Sequence, residues 1–203
     1  EVNSSVPMYR GTALIYSSVY KSGVQVKAMP EDIISRDSGF SKYLEVTGGI
    51  FDLTEGKIML SSKLASLLET GAGEKIKMLT AKTAASGRMI LRPESFEVAG
   101  IFSTGYYEID SLTAYIGLQK GQKLFSGPGS LILCKIDAPY KTADKAAAII
   151  RGQVGSGFSV VTWYRLQSAM YESLYTTRVL LVFIMALIVV VASIISSSFS
   201  SFL

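Results

Sequence analysis

Apolar positions change their period several times along the chain. Val24, Val26 and Ala28 alternate with Gln25 and Lys27, the two-residue period of a half-buried strand within a β-rich segment, 9–29. Pro30, Glu31 and Asp32 open a short helix or turn, with proline in a first helical position and acids in the first turn. Ser61 and Ser62 precede Leu64, Leu67 and Leu68, which share one helical face, and Gly71 ends that helix. Ile76 and Met78 alternate with lysines in a strand over 75–79. The polar, glycine-containing stretch 82–93 lies between that strand and another at 96–101, the pattern of a long projecting hairpin. Residues 103–110 read as a turn carrying two tyrosines, and 112–118 and 131–137 as strands. Thr142 caps a helix through Ile150, stopped by Gly152, and 158–163 reads as a last short strand.

From Trp163 onward there is neither proline nor glycine. Trp163, Leu166, Met170 and Leu174 keep helical spacing, and Tyr171 and Tyr175 sit one turn apart on a neighbouring face. One helix over 163–203 is predicted, about 60 Å long. No charged residue follows Arg178. The run 179–203 spans roughly 37 Å, enough for a hydrocarbon core of about 30 Å, and is predicted to be a transmembrane helix. Residues 163–178 then form a juxtamembrane stalk helix, with Tyr171, Tyr175 and Arg178 near the interface. The alternatives are a buried core helix for the apolar run and simple lobe packing for the tyrosines.

Composition narrows the classes. The 203 residues are 49% hydrophobic with a mean hydropathy of +0.35, and the excess lies at the C-terminal end. One domain, in one lobe or two, plus an anchor fits that length. The first residue is not methionine and no signal-peptide pattern opens the chain, so a piece of a longer protein is expected. The net charge of +4 comes from scattered basic residues, which form no nucleic-acid patch. Histidine is absent, which removes the commonest general base and metal ligand. Cys134 is alone, in an apolar stretch that reads as buried. The stretch 70–75, TGAGEK, lacks phosphate-loop spacing and reads as a turn. Glu108 and Asp110 read as a solvated acidic face, since paired-carboxylate hydrolysis needs two groups facing across a substrate. No metal cluster or catalytic constellation is expected, and the chain is predicted not to be an enzyme.

Three segments carry a resemblance to a known family. In 56–79, GKIMLSSKLASLLETGAGEKIKML pairs a helix with a following strand; Ser61 and Ser62 stand at positions where relatives often have glycine, and Glu74 where they have aspartate. In 96–125, Gly100, Gly105, Tyr106, Tyr107 and Asp110 are in register. In 160–197 the chain passes into an apolar helix, with Val191 to Ser197 lacking an asparagine usual there. Together they resemble the lipoprotein-releasing (LolC/LolE-type) permease subunits of bacterial ABC transporters.

The resemblance implies an α+β fold. A porter-like α/β lobe would be built from 1–45 and 126–162, and a β-rich lobe, 46–125, would be inserted in it; the long stalk and transmembrane helix follow. It also implies a mechanical role in which lipoproteins leave the inner membrane for a periplasmic chaperone. A partner ATPase subunit would use the ATP, and this chain would hold no cofactor. Implied partners are a second permease subunit, that ATPase, the lipoprotein, the chaperone and membrane lipid, but no nucleic acid. Residues 1–178 would be periplasmic. A chaperone-binding hook would lie at Gly87, Arg88, Met89, Ile90, Leu91 and Pro93, with Pro93 later than in the family's tip. The apolar part of that hook could instead fold back onto the β-rich lobe. An acyl-chain gate would be formed by Met170, Tyr171, Leu174 and Tyr175. Related export or regulatory permeases of the same architecture, and a single-anchor sensor or binding module, are the competing readings.

Overall fold

The computed structural model describes residues 2–83, 89–125, 130–155 and 157–200. Its strands are β1 (Val2–Tyr16), β2 (Lys21–Met29), β3 (Glu45–Gly49), β4 (Lys57–Ser61), β5 (Lys75–Thr83), β6 (Met89–Ser103), β7 (Thr113–Gly117) and β8 (Ser130–Ile136). Its helices are α1 (Ile33–Arg36), α2 (Ser38–Tyr43), α3 (Ser62–Leu67), α4 (Tyr107–Leu112), α5 (Leu118–Leu124), α6 (Pro139–Gln153), α7 (Trp163–Leu166) and α8 (Ser168–Ser200). The α+β class and the long C-terminal helix are as expected. Two compact units divide the chain, Glu1–Asp137 and Ala138–Leu203.

In the first unit the strand pairings close a circle. β1 pairs antiparallel with β2, β2 parallel with β7, and β7 antiparallel with β4. β4 then pairs parallel with β6, β6 antiparallel with β5, and β5 antiparallel with β1 at Leu14–Tyr16. The first half of β1 leaves this ring and pairs with β8, an edge strand, while β3 pairs with β6. Strands from 1–45 and from 46–125 therefore share one hydrogen-bonded network.

The ring is filled from all six strands, for example by Ile15, Val26, Leu60, Met78, Phe96 and Ile116, each buried. A second apolar cluster lies on the other face of the same sheet. There Met59, Phe102 and Tyr115 pack with Met8, Ile33 and Leu44. β4 and β7 thus have both faces covered, and four of five residues in β4 and all five in β7 are buried. Such strands read as continuous apolar runs without alternation.

Several local expectations change. In α3, Leu64 and Leu68 are buried but Leu67 is half exposed, because positions four apart share a face more closely than the full triplet does. Ser61 stands at the N-cap, yet its hydroxyl is buried with no partner among the described residues. The chain leaves α3 at Glu69, whose φ is +49°, before it reaches Gly71. Cys134 is exposed on the edge strand β8, most of whose residues are exposed. The TGAGEK stretch is a turn, closed by Glu74, which accepts from the Thr70 hydroxyl and the Gly71 N–H.

In the second unit α6 begins at Pro139, three residues before Thr142. Ala138, with φ of +48°, directs the chain into it, and the Thr142 hydroxyl donates back to the Ala138 carbonyl. The expected strand at 158–163 is irregular chain, with Phe158 and Val161 exposed. Arg151 Nη2 holds it by donating to the Val160 carbonyl at 3.0 Å. The C-terminal helix is interrupted once. Gln167 has φ −112° and ψ 17°, and its N–H bonds to Tyr164. α8 then restarts, with the Met170 and Tyr171 N–H groups on the Gln167 carbonyl. Rings of Trp163, Tyr164 and Tyr171 pack across this junction. Within α8, the 24 residues Met170–Ser193 are long and apolar enough to cross a membrane and are not buried.

Candidate functional site

The projecting hairpin is formed by β5 and β6, in register from Lys75 opposite Glu97 to Thr83 opposite Met89. Its base belongs to the ring, where Ile76, Met78, Phe96 and Val98 are buried. Thr80 is the last buried residue on the β5 arm among those whose side chains are described. Beyond it Ala81, Leu91, Arg92 and Pro93 are exposed, Leu91 at 58%. The cause is the pairing: β6 gains its second neighbour, β4, only from Glu97 onward. Pro93, opposite Leu79, therefore sits where β6 has a single partner and a missing N–H is tolerated. Met89 and Ile90 are placed by backbone alone, opposite Thr83 and Lys82. Gly87 and Arg88 lie outside the described residues. Where the hairpin leaves the ring, Lys120 of α5 donates to Glu94 at 2.9 Å and lies 5.7 Å from the Phe96 ring centre.

The four residues proposed as a gate divide into two kinds. Met170, Leu174 and Tyr175 are exposed along α8. Tyr171 is half-buried, with its ring 4.9 Å from that of Tyr164 and 5.9 Å from that of Trp163.

A third feature escapes periodicity. Asp110 is buried, not part of a solvated acidic face, whereas Glu108 is exposed. Its carboxylate accepts from the Ser103 hydroxyl at 2.9 Å, the Thr104 N–H at 2.9 Å, the Thr104 hydroxyl at 2.8 Å and the Gly105 N–H at 3.2 Å. Burial opposes its charge, but the donors of Thr104, Ser103 and Gly105 outweigh it and hold the carboxyl below its usual range. Burial and then the Asp110 charge push the neighbouring Tyr115 phenol up to about 12. The consequence is a rigid loop that passes Gly105, at φ +76°, into α4 and leaves Tyr106 and Tyr107 exposed. The signal available in the sequence was the run Ser103-Thr104-Gly105, three donors placed ahead of an acid. Among the described residues no three His, Cys, Asp or Glu side chains group as a metal site would require.

No protein-family model matches the chain. It is 26% identical over 196 residues to the lipoprotein-releasing system transmembrane protein LolC of Xylella fastidiosa strain Temecula1, an alignment covering 93% of this chain and 46% of that protein. LolC of a second Xylella fastidiosa strain is 28% identical over 150 residues, covering 70% of this chain and 35% of that one. The chain thus spans less than half the length of these curated relatives. In fold it is similar to the extracellular domain of the noncanonic ABC-type transporter YknZ from Gram-positive bacteria, with a TM-score of 0.50 at 14% identity over 78% of this chain and 79% of that one. The resemblance to lipoprotein-releasing permease subunits is borne out by these relatives.

Proposed function

We propose that the chain is the extracytoplasmic domain and following membrane helix of an ABC transporter permease subunit, and that the transporter moves lipoproteins from the bacterial inner membrane to a periplasmic chaperone. The observation that carries this reading is the extent of similarity to LolC, 93% of the chain, through the β-ring and into the apolar helix. The segment Met170–Ser193 supplies the membrane crossing, with the residues before it periplasmic. Removing acyl chains from lipid costs about 0.8 kcal/mol per CH₂, which accounts for coupling to a partner ATPase. In this role the chain does mechanical work and hydrolyses nothing itself, so it needs neither cofactor nor metal. A second permease subunit completes the gate, in which Met170, Leu174 and Tyr175 border the acyl chains and Tyr171 braces the helix from behind. The outer part of the β5–β6 hairpin, exposed at Ala81 and at Leu91, Arg92 and Pro93, is the chaperone hook.

The test uses the full-length subunit reconstituted with its partner permease and ATPase in lipoprotein-loaded vesicles. ATP-dependent transfer of lipoprotein to added chaperone is expected. A Leu91→Glu variant should lose chaperone capture in a pull-down with its melting temperature unchanged, because an exposed surface position shifts stability by only about 0.5 kcal/mol. Transfer without this subunit would overturn the transporter assignment. Unchanged capture by a stable Leu91→Glu variant would remove the hook from 89–93 while leaving the rest standing.

A further inference from the structure

The chain has a single tryptophan, and three tyrosine rings surround it. Trp163 lies edge-on to Tyr140 at 5.3 Å, to Tyr164 at 6.0 Å and to Tyr171 at 5.9 Å between ring centres. These rings come from three elements of one unit: α6, α7 and α8. Tyr171 is also the second residue of the segment able to cross a membrane, so the cluster lies where that segment begins. Two of its members are exposed, Tyr140 at 86% and Tyr164 at 53%, beside Leu166 at 75%, while Trp163 and Tyr171 are half-buried. A contiguous exposed apolar group of this kind marks a surface with a partner. Indole and phenol rings combine an apolar body with a polar tip, which suits the headgroup level of a bilayer.

Two further observations specify the partner. The unit 138–203 holds five basic residues, Lys141, Lys145, Arg151, Arg165 and Arg178, against two acids, Asp144 and Glu172; it thereby contributes three of the chain's four net positive charges. Lys141 and Arg165 each follow a ring of the cluster directly. In addition, the Trp163 indole N–H and the Thr162 hydroxyl are enclosed without an acceptor or donor among the described residues. Both atoms are covered in the chain alone, so ester and phosphate oxygens of a lipid headgroup become their partners only where the rings part on settling into a bilayer.

We propose that the cluster of Tyr140, Trp163, Tyr164 and Tyr171 is a membrane-interface site seated among anionic phospholipid headgroups, and that it draws the first turn of α6, with Lys141, onto the lipid surface. The inference rests on reading α8 as a membrane helix. It changes the expected stalk, because residues 163–178, which precede the charge-free run, lie along the headgroup layer instead of standing clear of it.

The 203-residue chain is reconstituted in phosphatidylglycerol vesicles whose acyl chains are brominated either near the headgroup end or near the terminal methyl. Trp163 emission should shift to the blue and be lost more to the shallow bromines than to the deep ones. A depth control carries Trp163→Phe with Met185→Trp, placing the reporter within the apolar span, and should be quenched most by the deep bromines. If the control is quenched and Trp163 responds to neither bromine, the cluster stands above the membrane and the proposal fails. Deep quenching of Trp163 itself also overturns it. A control quenched by neither shows that α8 does not insert, which sinks the membrane reading together with the inference. The charge clause is read separately. Quenching should weaken in phosphatidylcholine vesicles, and Lys141→Glu should remove that difference between lipids; equal quenching of the unmodified chain in both lipids refutes it.

Discussion

Replacing Asp110 by asparagine keeps the size of the side chain and removes the charge on which four donors converge. The carboxylate is 5% exposed and receives two backbone N–H groups and two hydroxyls. A hydrogen bond to a charged acceptor contributes about 1.5–3 kcal/mol and a neutral one about 1 kcal/mol. The hydroxyls can turn to other acceptors, but the Thr104 and Gly105 N–H groups cannot. An asparagine amide must also turn its NH₂ toward at least one donor. The expected loss is about 2–4 kcal/mol at neutral pH, a large share of the roughly 5–15 kcal/mol that holds a domain folded. With a urea dependence of about 1–3 kcal/mol per molar, the midpoint should fall by about 1–2 M. The assay is urea unfolding of the detergent-solubilised chain, followed by near-ultraviolet dichroism of its tyrosines, Tyr115 among them. The pH dependence has a definite sign. Asp110 has a folded pKa depressed below its unfolded value, so its contribution is complete above about pH 4 and disappears as pH falls through the folded pKa. The gap between the parent and Asp110→Asn should therefore close in acid. A gap that stays constant from neutral pH to strong acid would show that the charge is not what secures the loop.

Two glycines in the same motif should fail for different reasons. A Cβ at Gly100 would lie 2.5 Å from the Ile50 carbonyl oxygen, so Gly100→Ala should cost about 1–3 kcal/mol by forcing backbone apart, read as a lowered melting temperature. Gly105 has open space but a φ of +76°, so Gly105→Ala should cost about 1–2 kcal/mol through strain alone, and Gly105→Asn should recover part of it. The break at Gln167 moves the sensitive site in the C-terminal helix: Met170→Pro falls in the first turn of α8, where it removes the Met170 N–H bond to the Gln167 carbonyl but should cost less than an interior proline. Leu174→Pro removes an interior bond at a cost of about 3 kcal/mol or more, and in the reconstituted transporter it should leave ATP hydrolysis running without lipoprotein release. Normal release by Leu174→Pro would rule out α8 as a rigid transmitter.

What the sequence shows and hides follows from how many faces an element buries. β2 and the base of β5 each bury one face, so their alternation is visible at Val24, Val26, Ile76 and Met78. β4 buries both faces, and the periodic reading passes over it although Met59 and Leu60 are fully enclosed. β3 is short and ends in two glycines, so it offers no pattern at all. Ring closure is not written locally either: it depends on Leu14–Tyr16 meeting Lys77–Leu79, a pairing between segments sixty residues apart. Asp110 is misread for a related reason. Its spacing from Glu108 suits the solvated face of a strand or turn, and only the folded loop turns one acid inward and the other out. Likewise, helical spacing runs unbroken through Gln167, since side-chain period does not report a single residue that bonds three positions back instead of four.

In the proposed chaperone role the ring would supply the hairpin with its base. An isolated two-stranded hairpin is marginally stable in water, so an exposed tip needs a fixed base. Here the inner arms are ring strands, with Met78 and Phe96 enclosed and Val98 held between two neighbours. At the exit Lys120 bridges from α5 to Glu94, with its Nζ 5.7 Å from the Phe96 ring centre, which ties this part of β6 to α5. Beyond Leu79, which still pairs with Leu14 of β1, the arms have only each other, and the pairing continues to Thr83 and Met89. Stability thus falls along the hairpin from base to tip. An element built this way keeps the direction set by its base, which is what the proposed contact with a chaperone would need.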